Sequence, residues 1–596
     1  MCGILFSENQ PVSPTVEASC KSLRPRGPDD EKIVYEGNHL FAFFRLAIND
    51  LTSNGMQPFV RSDFVFICNG EIYNSKHLRS LCTCFQPAKR SSAGPLRGPK
   101  AGSECLFTSD SDCEVVPHLI RKYGIDAALQ LIHGVFVFVY YDRVKKNFYV
   151  ARDAIGVKSL YSGRKRKECS LLVASELKAL HPICDDVSMF PAGHYYNSET
   201  RTTTRWCAMD FNPRTSAGIN KYANYIYLYT GTISNIPLIM SNLEKILREA
   251  VRVRLETSDR QVGCFLSGGL DSSLVAAIAS EIYQSKSKGK IKTFAVGMEN
   301  ATDLVAARQV AKHIGSEHHE LIVTQKEMLD AIPRVIQRIE SYDTTTVRAS
   351  TGMVLLSDYI RDNFPTTVLF SGEGADELSG SYKYFDNAPS AQSMQDESVR
   401  LLNDLQYFDV LRCDKSVSGA SLEARTPFLD MNFVNYYMRL NPELKSNKII
   451  EKFLLRETFS KTTNKGRNLL PDHLLYRRKE AFSDGCSSME KPWFKVIQNH
   501  CEELISNDMF NQEIKKFSHN KPESKEALWY RLCFEKYYPG RGDILPYLWL
   551  PKWTTEKDPS ARLLLPNMAP SAMSGTPLIP AISVPARFDK KGWTTL

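Results

Sequence analysis

The first residues of the chain could provide a nucleophile together with its own general base. The order is Met1-Cys2-Gly3, and a small residue such as Cys2 normally permits removal of the initiator methionine. Cys2 would then carry a free α-amine, and because such an amine has a pKa of about 8, a neutral fraction could accept the thiol proton. A cysteine after the start codon is more often incidental, so position alone does not assign the role.

Several short polar motifs follow Cys2 along the chain. Together they could supply the other groups that a cysteine nucleophile needs. A thiolate that attacks a carbonyl carbon requires an oxyanion hole. Asn69 and the Gly70 backbone N–H can form the hole, because they follow a predicted strand at 64–68. Each motif alone is typical of a turn or a surface charge. The motifs are Arg24-Pro-Arg-Gly-Pro-Asp29, Arg45-Leu-Ala-Ile48, Asn69-Gly-Glu-Ile-Tyr73, Ser111-Asp-Cys-Glu114 and Ala151-Arg-Asp-Ala-Ile-Gly156.

A glycine-rich loop lies further along, between a predicted strand at 262–266 and a predicted helix at 272–283. It reads Leu266-Ser-Gly-Gly-Leu-Asp-Ser-Ser273. Small residues let backbone N–H groups approach a pyrophosphate, and the helix N-terminus adds a partial positive charge. No Gly-Lys-Ser/Thr follows, which excludes a Walker loop. The loop therefore predicts a nucleotide-phosphate site of another type.

A second glycine loop with carboxylates supports this interpretation. It follows a predicted strand at 368–370 and reads Ser371-Gly-Glu-Gly-Ala-Asp-Glu377. Ligands of parallel α/β sheets bind beyond the carboxyl ends of the strands, so the two loops are expected to meet. Asp271 and Asp376 could then hold Mg²⁺ on the pyrophosphate. Helix capping would also explain Asp271 and Ser272 locally, but it does not explain both loops.

The elements that must position these residues differ between the two halves of the chain. The first half alternates short β-rich runs with turns, which predicts packed antiparallel sheets. From residue 262 onward apolar strands alternate with helices, which predicts a parallel α/β sheet. The remaining predicted elements are strands at 135–141, 148–151, 171–174 and 293–296, and a helix at 304–314.

Bulk properties agree with a large globular protein. The 596 residues require at least two domains, and 43% hydrophobic with 24% charged residues is ordinary composition. The net charge of +8 is spread without dense basic runs, so nucleic-acid binding is not expected. An odd count of 15 cysteines at irregular spacing argues against a disulfide framework and predicts reduced thiols in the cytoplasm. The first residues lack the basic start and apolar core of a signal peptide, and no apolar run approaches the ~20 residues of a membrane span, so neither is expected.

In their order along the chain, the motifs resemble a known family. Those of the first half resemble N-terminal-nucleophile (class II) glutamine amidotransferases, and the 266–273 loop resembles that of enzymes cleaving ATP between the α and β phosphates. Three more look like the glutamine-dependent asparagine synthetases: Tyr342-Asp-Thr-Thr-Thr-Val-Arg-Ala-Ser350, Leu422-Glu-Ala-Arg-Thr-Pro-Phe-Leu-Asp430 and Lys479-Glu-Ala-Phe-Ser-Asp484. The resemblance implies two α/β and α+β domains: an N-terminal αββα sandwich and a C-terminal parallel-sheet ATP-pyrophosphatase domain.

The resemblance also implies where the regions of the chain divide. A glutaminase domain is expected over 2–200, with a surface insertion at about 85–111. A linker region is expected over 201–240, and the synthetase domain over 241–563. The final residues, 564–596, are rich in Pro, Ser and Ala and are expected to form a disordered tail.

The same resemblance suggests roles for individual residues of the glutaminase. Cys2 would attack the glutamine amide, with Asn69 and Gly70 binding the oxyanion. The guanidinium of Arg45 would pair with the glutamine carboxylate. Glu71 and Asp112 would together hold its ammonium group.

Other residues are assigned to the synthetase half by the resemblance. Glu373 would support formation of a β-aspartyl-adenylate and then meet incoming ammonia, while Lys479 would stabilise the negative transition state. Asp271 and Asp376 would bind the metal. Contacts with aspartate or phosphate groups are expected from Thr345, Thr346 and Arg348. Contacts with ATP are expected from Leu266, Ser267, Gly268, Gly269, Asp271, Ser272, Val296, Ser371 and Gly372.

The implied reaction uses glutamine, aspartate and ATP with Mg²⁺, and needs no organic prosthetic group, membrane or nucleic acid. A homodimer is one assembly compatible with the resemblance. Two alternatives remain: an amidotransferase with another carboxylate acceptor, and a non-catalytic scaffold. Cys2 argues against the relatives that form β-lactams, because a cyclisation needs no ammonia. Occupation of every chemically demanding position argues against a scaffold.

Overall fold

A computed structural model describes most of the chain. Part of the predicted insertion and the whole predicted tail lie outside the described residues. The structure describes residues 1–9, 13–83, 106–165, 170–209, 211, 236–286, 289–445, 450–460, 463–464, 467–478, 482–488 and 490–560.

The first half is built mainly from strands. Those at 64–72, 134–142 and 147–152 begin or end a few residues beyond the predicted runs, and the strand at 171–174 matches its prediction. In chain order the strands are β1 (Gly3–Ser7), β2 (Asp30–Glu36), β3 (His39–Arg45), β4 (Phe59–Val60), β5 (Phe64–Ile72), β6 (Gly134–Asp142), β7 (Asn147–Arg152), β8 (Tyr161–Arg164), β9 (Leu171–Ala174), β10 (Asp186–Met189), β11 (His194–Asn197) and β12 (Thr202–Arg205).

Two six-stranded antiparallel sheets pack face to face. Their strand orders are β10-β8-β9-β1-β3-β2 and β12-β11-β7-β6-β5-β4. Apolar side chains of β1 and β3 meet those of β5 and β6 in one buried cluster, which includes Phe6, Phe43, Ile67 and Val139. The central strands are nearly continuous apolar runs, because helices cover their outer faces.

Helices flank the two sheets, which gives the predicted αββα order. Those covering the first sheet carry Val16 and Leu180, and those covering the second carry Leu119 and Leu129. The helices of this half are α1 (Pro14–Lys21), α2 (Ser75–Thr83), α3 (Val115–Tyr123), α4 (Ile125–Leu131) and α5 (Leu177–Leu180).

The second half contains a five-stranded parallel sheet, as predicted from the strand–helix alternation. Its order is β15-β14-β13-β16-β17, and the order reverses between β13 and β16, where ligands of such sheets bind. The strands are β13 (Gln261–Phe265), β14 (Lys292–Gly297), β15 (Glu317–Ile322), β16 (Thr366–Phe370) and β17 (Glu423–Arg425), followed by the short pair β18 (Thr463–Asn464) and β19 (Arg467–Asn468).

Helices surround this sheet. Among those that the structure describes, none is long and apolar enough to cross a membrane. They are α6 (Ile236–Glu256), α7 (Leu270–Ser285), α8 (Thr302–Ile314), α9 (Gln325–Ile339), α10 (Thr344–Asn363), α11 (Ala375–Ser379), α12 (Ala391–Asp404), α13 (Asp409–Ser418), α14 (Met431–Met438), α15 (Phe453–Ser460), α16 (Asp472–Leu475), α17 (Phe482–Gly485), α18 (Trp493–Leu504), α19 (Asn507–Glu513) and α20 (Lys525–Tyr537).

Buried ion pairs join the two halves. Arg26, after α1, pairs with Asp414 of α13 at 3.0 Å, and Lys158 pairs with Glu423 of β17 at 3.3 Å. Removal of one partner would leave an uncompensated buried charge, so these pairs strongly constrain how the halves dock. The region predicted as a linker, 201–240, includes β12 and the first residues of α6.

Candidate active sites

Cys2 lies immediately before β1, at the edge of the apolar cluster between the two sheets. Its Sγ donates to the Leu46 carbonyl oxygen at 3.6 Å, and its carbonyl oxygen accepts a 3.1 Å hydrogen bond from Arg26 Nε. Burial raises the pKa of the Cys2 thiol, while the nearby N-terminal ammonium lowers it. The thiol therefore needs a nearby base to become a nucleophile.

Met1 is present in this structure and is buried beside the second domain. Its α-amine donates to the Leu422 carbonyl oxygen at 3.1 Å, and Lys158 Nζ lies 2.8 Å from its sulfur. Burial lowers the pKa of this amine to about 5, against the opposing effect of Glu423. While Met1 is attached, the nitrogen of Cys2 belongs to a peptide bond. The predicted α-amine base therefore exists only after Met1 is removed.

Asn69 and Gly70 lie in β5, where they pair with Val137 and Phe136 of β6. Asn69 Nδ2 is a buried donor without a hydrogen-bond partner among the described residues. Such orphaned donors are rare in folded proteins, and this one suits an acceptor supplied by a ligand. A Cβ at position 70 would lie 2.5 Å from the Val135 carbonyl oxygen, so the strand pairing requires glycine there.

Glu71 and Asp112, the predicted ammonium partners, are brought together by a side chain that the sequence analysis did not identify. Asn49 Nδ2 donates to Glu71 Oε2 at 2.8 Å and to Asp112 Oδ1 at 3.2 Å. Asp112 Oδ2 also accepts from the Ile72 backbone N–H at 2.6 Å. The two acids thus form one hydrogen-bonded cluster beside the predicted oxyanion hole.

The second domain contributes a cation to this cluster. Arg425 of β17 places Nη2 2.9 Å from Glu71 Oε2 and Nε 2.8 Å from Glu423 Oε1. Burial raises the pKa of Glu71 well above its ordinary value, and Arg425 opposes that rise. Burial also raises the pKa of Asp112, opposed by its hydrogen bonds from Ile72 and Asn49.

Arg45, predicted to bind the substrate carboxylate, lies at the end of β3. Its guanidinium donates to the backbone carbonyls of Asp50 and of Thr52, the latter at 2.7 Å. Asn49 belongs to the same loop. One short segment therefore connects the predicted carboxylate subsite with the acidic cluster.

The 266–273 loop has the compact geometry expected of a phosphate-binding turn. The Ser267 and Ser272 hydroxyls lie 3.1 Å apart, and Ser272 Oγ accepts from the Ser267 backbone N–H at 3.2 Å. Gly268 has φ +76°, and a Cβ there would lie 2.5 Å from that of Ala306. Glycine is thus required both by the backbone conformation and by the approach of α8.

The two glycine loops meet, as the sheet topology predicts. A Cβ on Gly372 would lie 2.8 Å from Asp271 Cβ and from the Ser272 backbone nitrogen. The Ser371 N–H donates to the carbonyl oxygen of Arg425 at 2.8 Å. β17 thus contacts the 371–377 loop through the backbone of Arg425, and it contacts the Glu71–Asp112 cluster of the first half through the Arg425 side chain.

Asp271 and Asp376, the predicted metal ligands, both contact Lys452. Lys452 Nζ lies 2.6 Å from Asp376 Oδ1 and pairs with Asp271 Oδ2. The part of the chain that the structure describes contains no group of three or more His, Cys, Asp or Glu residues able to hold a metal. Two converging carboxylates nevertheless fit Mg²⁺, which is commonly bound by one or two carboxylates together with substrate phosphates.

Glu373 pairs with an arginine that sequence reasoning also missed. Arg412 Nη2 of α13 lies 2.7 Å from Glu373 Oε2 and 2.9 Å from Asp409 Oδ1. Burial raises the pKa of Glu373, and Arg412 opposes the rise. The carboxylate is therefore partly buried and charge-compensated.

The three residues predicted to contact aspartate or phosphate have different surroundings. Thr345 Oγ1 is buried without a partner among the described residues and is available to a ligand. Thr346 Oγ1 donates to Asp343, the N-cap of α10, at 2.8 Å. Arg348 pairs with Glu526 at 2.7 Å and with Asp558 at 2.8 Å. A substrate carboxylate would have to displace one of these acids to reach Arg348.

The remaining site residues differ in whether a sequence motif indicated them. Leu266 and Val296 are buried at the ends of β13 and β14. Lys479 lies outside the described residues. Arg425 belongs to the 422–430 motif but received no role from it, and Asn49 adjoins the 45–48 motif. Lys452 and Arg412 lie in no motif.

Comparisons with known families match both halves of the chain. The family described as asparagine synthase matches residues 242–395 and 386–556, and two glutamine amidotransferase families match 1–93 and 96–182. Together, fold and site define a two-domain amidotransferase in which an N-terminal-nucleophile domain precedes an ATP-pyrophosphatase-type domain.

Full-length relatives narrow this class. Glutamine-hydrolysing asparagine synthetases from Cricetulus griseus and Homo sapiens are each 39% identical over 584 residues, covering 95% of this chain and 98% of the relative. The Gallus gallus enzyme is 39% identical over 590 residues with the same coverage. The chain belongs to the glutamine-hydrolysing asparagine synthetase family.

Proposed function

We propose that this protein makes asparagine from aspartate and ATP, using the amide nitrogen of glutamine. The observation that carries the proposal is the pairing of two sites in one chain. One domain contains Cys2 with the proposed oxyanion hole and the acidic cluster. The other contains two glycine loops that meet and that carry carboxylates. Similarity to the relatives over nearly their whole length supports the same combination of activities.

In the glutaminase, the α-amine of Cys2 accepts the thiol proton once Met1 has been removed. The sulfur attacks the carboxamide carbon, and the resulting oxyanion accepts hydrogen bonds from Asn69 Nδ2 and the Gly70 N–H. Collapse of this intermediate expels ammonia and leaves a thioester. Water then hydrolyses the thioester to glutamate and regenerates the thiol.

The glutamine molecule is held at its α-carbon end. Arg45 contacts the carboxylate, while Glu71 and Asp112 contact the ammonium group. Support comes from the separation of a cationic and an anionic subsite along one short loop. In this proposal the site recognises a free α-amino acid whose side-chain amide reaches Cys2.

In the synthetase, a β-carboxylate oxygen of aspartate attacks the α-phosphorus of ATP and expels pyrophosphate. The 266–273 loop binds the phosphates, and Ser371 with Gly372 lies beside it. Ammonia then attacks the acyl carbon of the β-aspartyl-adenylate and AMP leaves. Glu373 accepts the proton that the new amide nitrogen loses. Lys479 remains the predicted cation for the adenylation step.

Asp271 and Asp376 would hold Mg²⁺, which neutralises the charge of the pyrophosphate group. Lys452 occupies the same carboxylates in the present structure. We propose that Lys452 compensates their charge when nucleotide is absent. Thr345, through its free hydroxyl, contacts aspartate or a phosphate, and access to Arg348 requires movement of Asp558.

We further propose that the protein works in the cytoplasm. All cysteines that the structure describes are free thiols, in agreement with a reducing compartment. A homodimer remains an expectation from the family resemblance. Light scattering during gel filtration would determine the assembly.

The test of the function measures asparagine and AMP formed from aspartate and Mg-ATP, with either glutamine or ammonium as donor. Native protein should use both donors, whereas Cys2→Ala should use only ammonium. Absence of both products with either donor would reject the synthetase function. AMP formation with a different carboxylate acceptor would instead support the other-acceptor alternative.

A further inference from the structure

Asn49 stands between the two carboxylates of the glutaminase without belonging to any motif. Its side-chain nitrogen donates to Glu71 at 2.8 Å and to Asp112 at 3.2 Å, so its two amide hydrogens serve one acid each. The residue is partly buried, whereas both acids are buried. The Asn49 amide nitrogen thus lies between the two acids and within hydrogen-bond distance of both.

The surroundings of Glu71 and Asp112 disfavour the state in which both acids are ionised. Two buried carboxylates repel each other, and burial itself favours their neutral forms. The groups that face them are Arg425 and Glu423 on β17, Lys158 after β7, Tyr73 after β5, and Cys113 next to Asp112. Arg425 contacts Glu71 directly, but Asp112 has no direct ionic partner among the described residues, only hydrogen bonds from Ile72 and Asn49.

Hydrogen bonds donated to a carboxylate stabilise its ionised form. The Asn49 amide gives one such bond to each acid and still leaves other lone pairs open on both. It also holds the two acids within reach of a single nitrogen atom. Because Asn49 precedes Asp50, whose carbonyl oxygen accepts from Arg45, the same loop sets the distance between the two ends of the glutamine subsite.

We propose that Asn49 is a positioning and specificity-determining residue of the glutaminase, which keeps Glu71 and Asp112 ionised and spaced to receive one substrate α-ammonium group. The inference deepens the proposed function and rests on its assignment of these acids to glutamine. The ligand class it defines is an α-amino acid with a free ammonium group and a side-chain carboxamide.

The main variant is Asn49→Val, which removes the donor while keeping a similar size. We expect KM for glutamine to rise about tenfold or more, because each lost bond is one to a charged group, with kcat changing much less. The acid limb of kcat/KM for glutamine should move to higher pH, since the acids lose donors that favour ionisation. Asn49→Asp, which adds a third carboxylate, should give a larger shift in the same direction.

Glutaramic acid, which is glutamine without the α-amino group, separates recognition from a general packing defect. Native protein should have a much higher kcat/KM for glutamine than for glutaramic acid. In Asn49→Val the ratio of the two values should be about tenfold smaller. Asn54→Val, at an exposed position on the same loop, is the matched control and should change neither value. Ammonium-dependent synthesis should be the same in all these variants.

Two results would overturn the inference. One is an Asn49→Val protein with native KM, pH profile and preference for glutamine. The other is an equal loss of glutamine and glutaramic acid hydrolysis. Failure of the proposed function is distinguishable, because native protein would then show no glutamine-dependent asparagine formation in the first place.

Discussion

Arg425 Nη2 lies 2.9 Å from Glu71 Oε2, so a residue on the parallel sheet of the second half forms an ion pair with a residue of the predicted glutamine pocket. The backbone of Arg425 also accepts from Ser371, the first residue of the second nucleotide loop. A single strand, β17, therefore contacts both candidate sites. This contact gives a physical reason why the two domains need a fixed relative position.

Arg425→Met should leave the Glu71 charge buried without its partner. We expect the free energy of unfolding to fall by about 3–5 kcal/mol, the usual cost of breaking a buried pair. Urea denaturation of the single variants and of Arg425→Met/Glu71→Gln checks this. The double variant should lose less stability than the sum of the single losses, and strictly additive losses would show that the pair is not coupled.

Asn69→Ala should remove one of the two proposed oxyanion donors. We expect kcat for glutamine hydrolysis to fall by about 10²–10³, as for loss of a comparable donor in other enzymes, with a small change in KM. Steady-state glutaminase assays measure both constants. Ammonium-dependent synthesis should be unaffected, and a parallel loss there would indicate misfolding instead.

Lys452→Met should remove a cation that contacts both Asp271 and Asp376. We expect the variant to have a lower melting temperature than native protein in EDTA. Mg²⁺ should raise it by more than it raises that of native protein, because the ion no longer competes with the lysine. Calorimetry over a Mg²⁺ series provides the measurement. Lys383→Met, at a surface pair, is the control, and an equal Mg²⁺ response in both variants would contradict this account.

Arg412→Met should shift the pH dependence of ammonium-supported synthesis. In the proposed mechanism Glu373 acts in its ionised form, so activity should be lost as pH falls through its pKa, which burial raises and Arg412 lowers. Removal of Arg412 should therefore move the acid limb to higher pH. Asp409→Asn should move it to lower pH, because Asp409 raises the same pKa. If the acid limb lies at the same pH in native protein and in both variants, Glu373 is not the group that titrates in this step.

A short peptide fused to the N-terminus should abolish glutamine-dependent synthesis, because Cys2 would keep its peptide bond and lack an α-amine. Protein fused at the C-terminus should retain the activity once Met1 is absent. Intact-mass measurement of each preparation, together with assays on both donors, checks the relation. Full glutamine activity in a preparation that retains Met1 would show that another group serves as the base.

Local patterns in the sequence were sufficient to predict several strands and both glycine loops of this protein. Alternation of apolar runs with turns predicted seven strands, namely β5, β6, β7 and β9 in the first half and β13, β14 and β16 in the second. The 266–273 and 371–377 loops were identifiable because glycine is needed where backbone approaches backbone, as at Gly268 and Gly372.

Tertiary structure alone decided the contacts of the charged side chains. Lys452 reaches Asp271 across 181 positions, and Arg412 reaches Glu373 across 39. Such pairs carry no local signal, because their partners are selected by how helices dock on the sheet rather than by spacing along the chain. Asn49 could not be predicted either, although it directly follows the 45–48 motif, because an asparagine in a loop is usually a turn residue. Its position between Glu71 and Asp112 depends on β5 and the 109–112 segment folding against that loop.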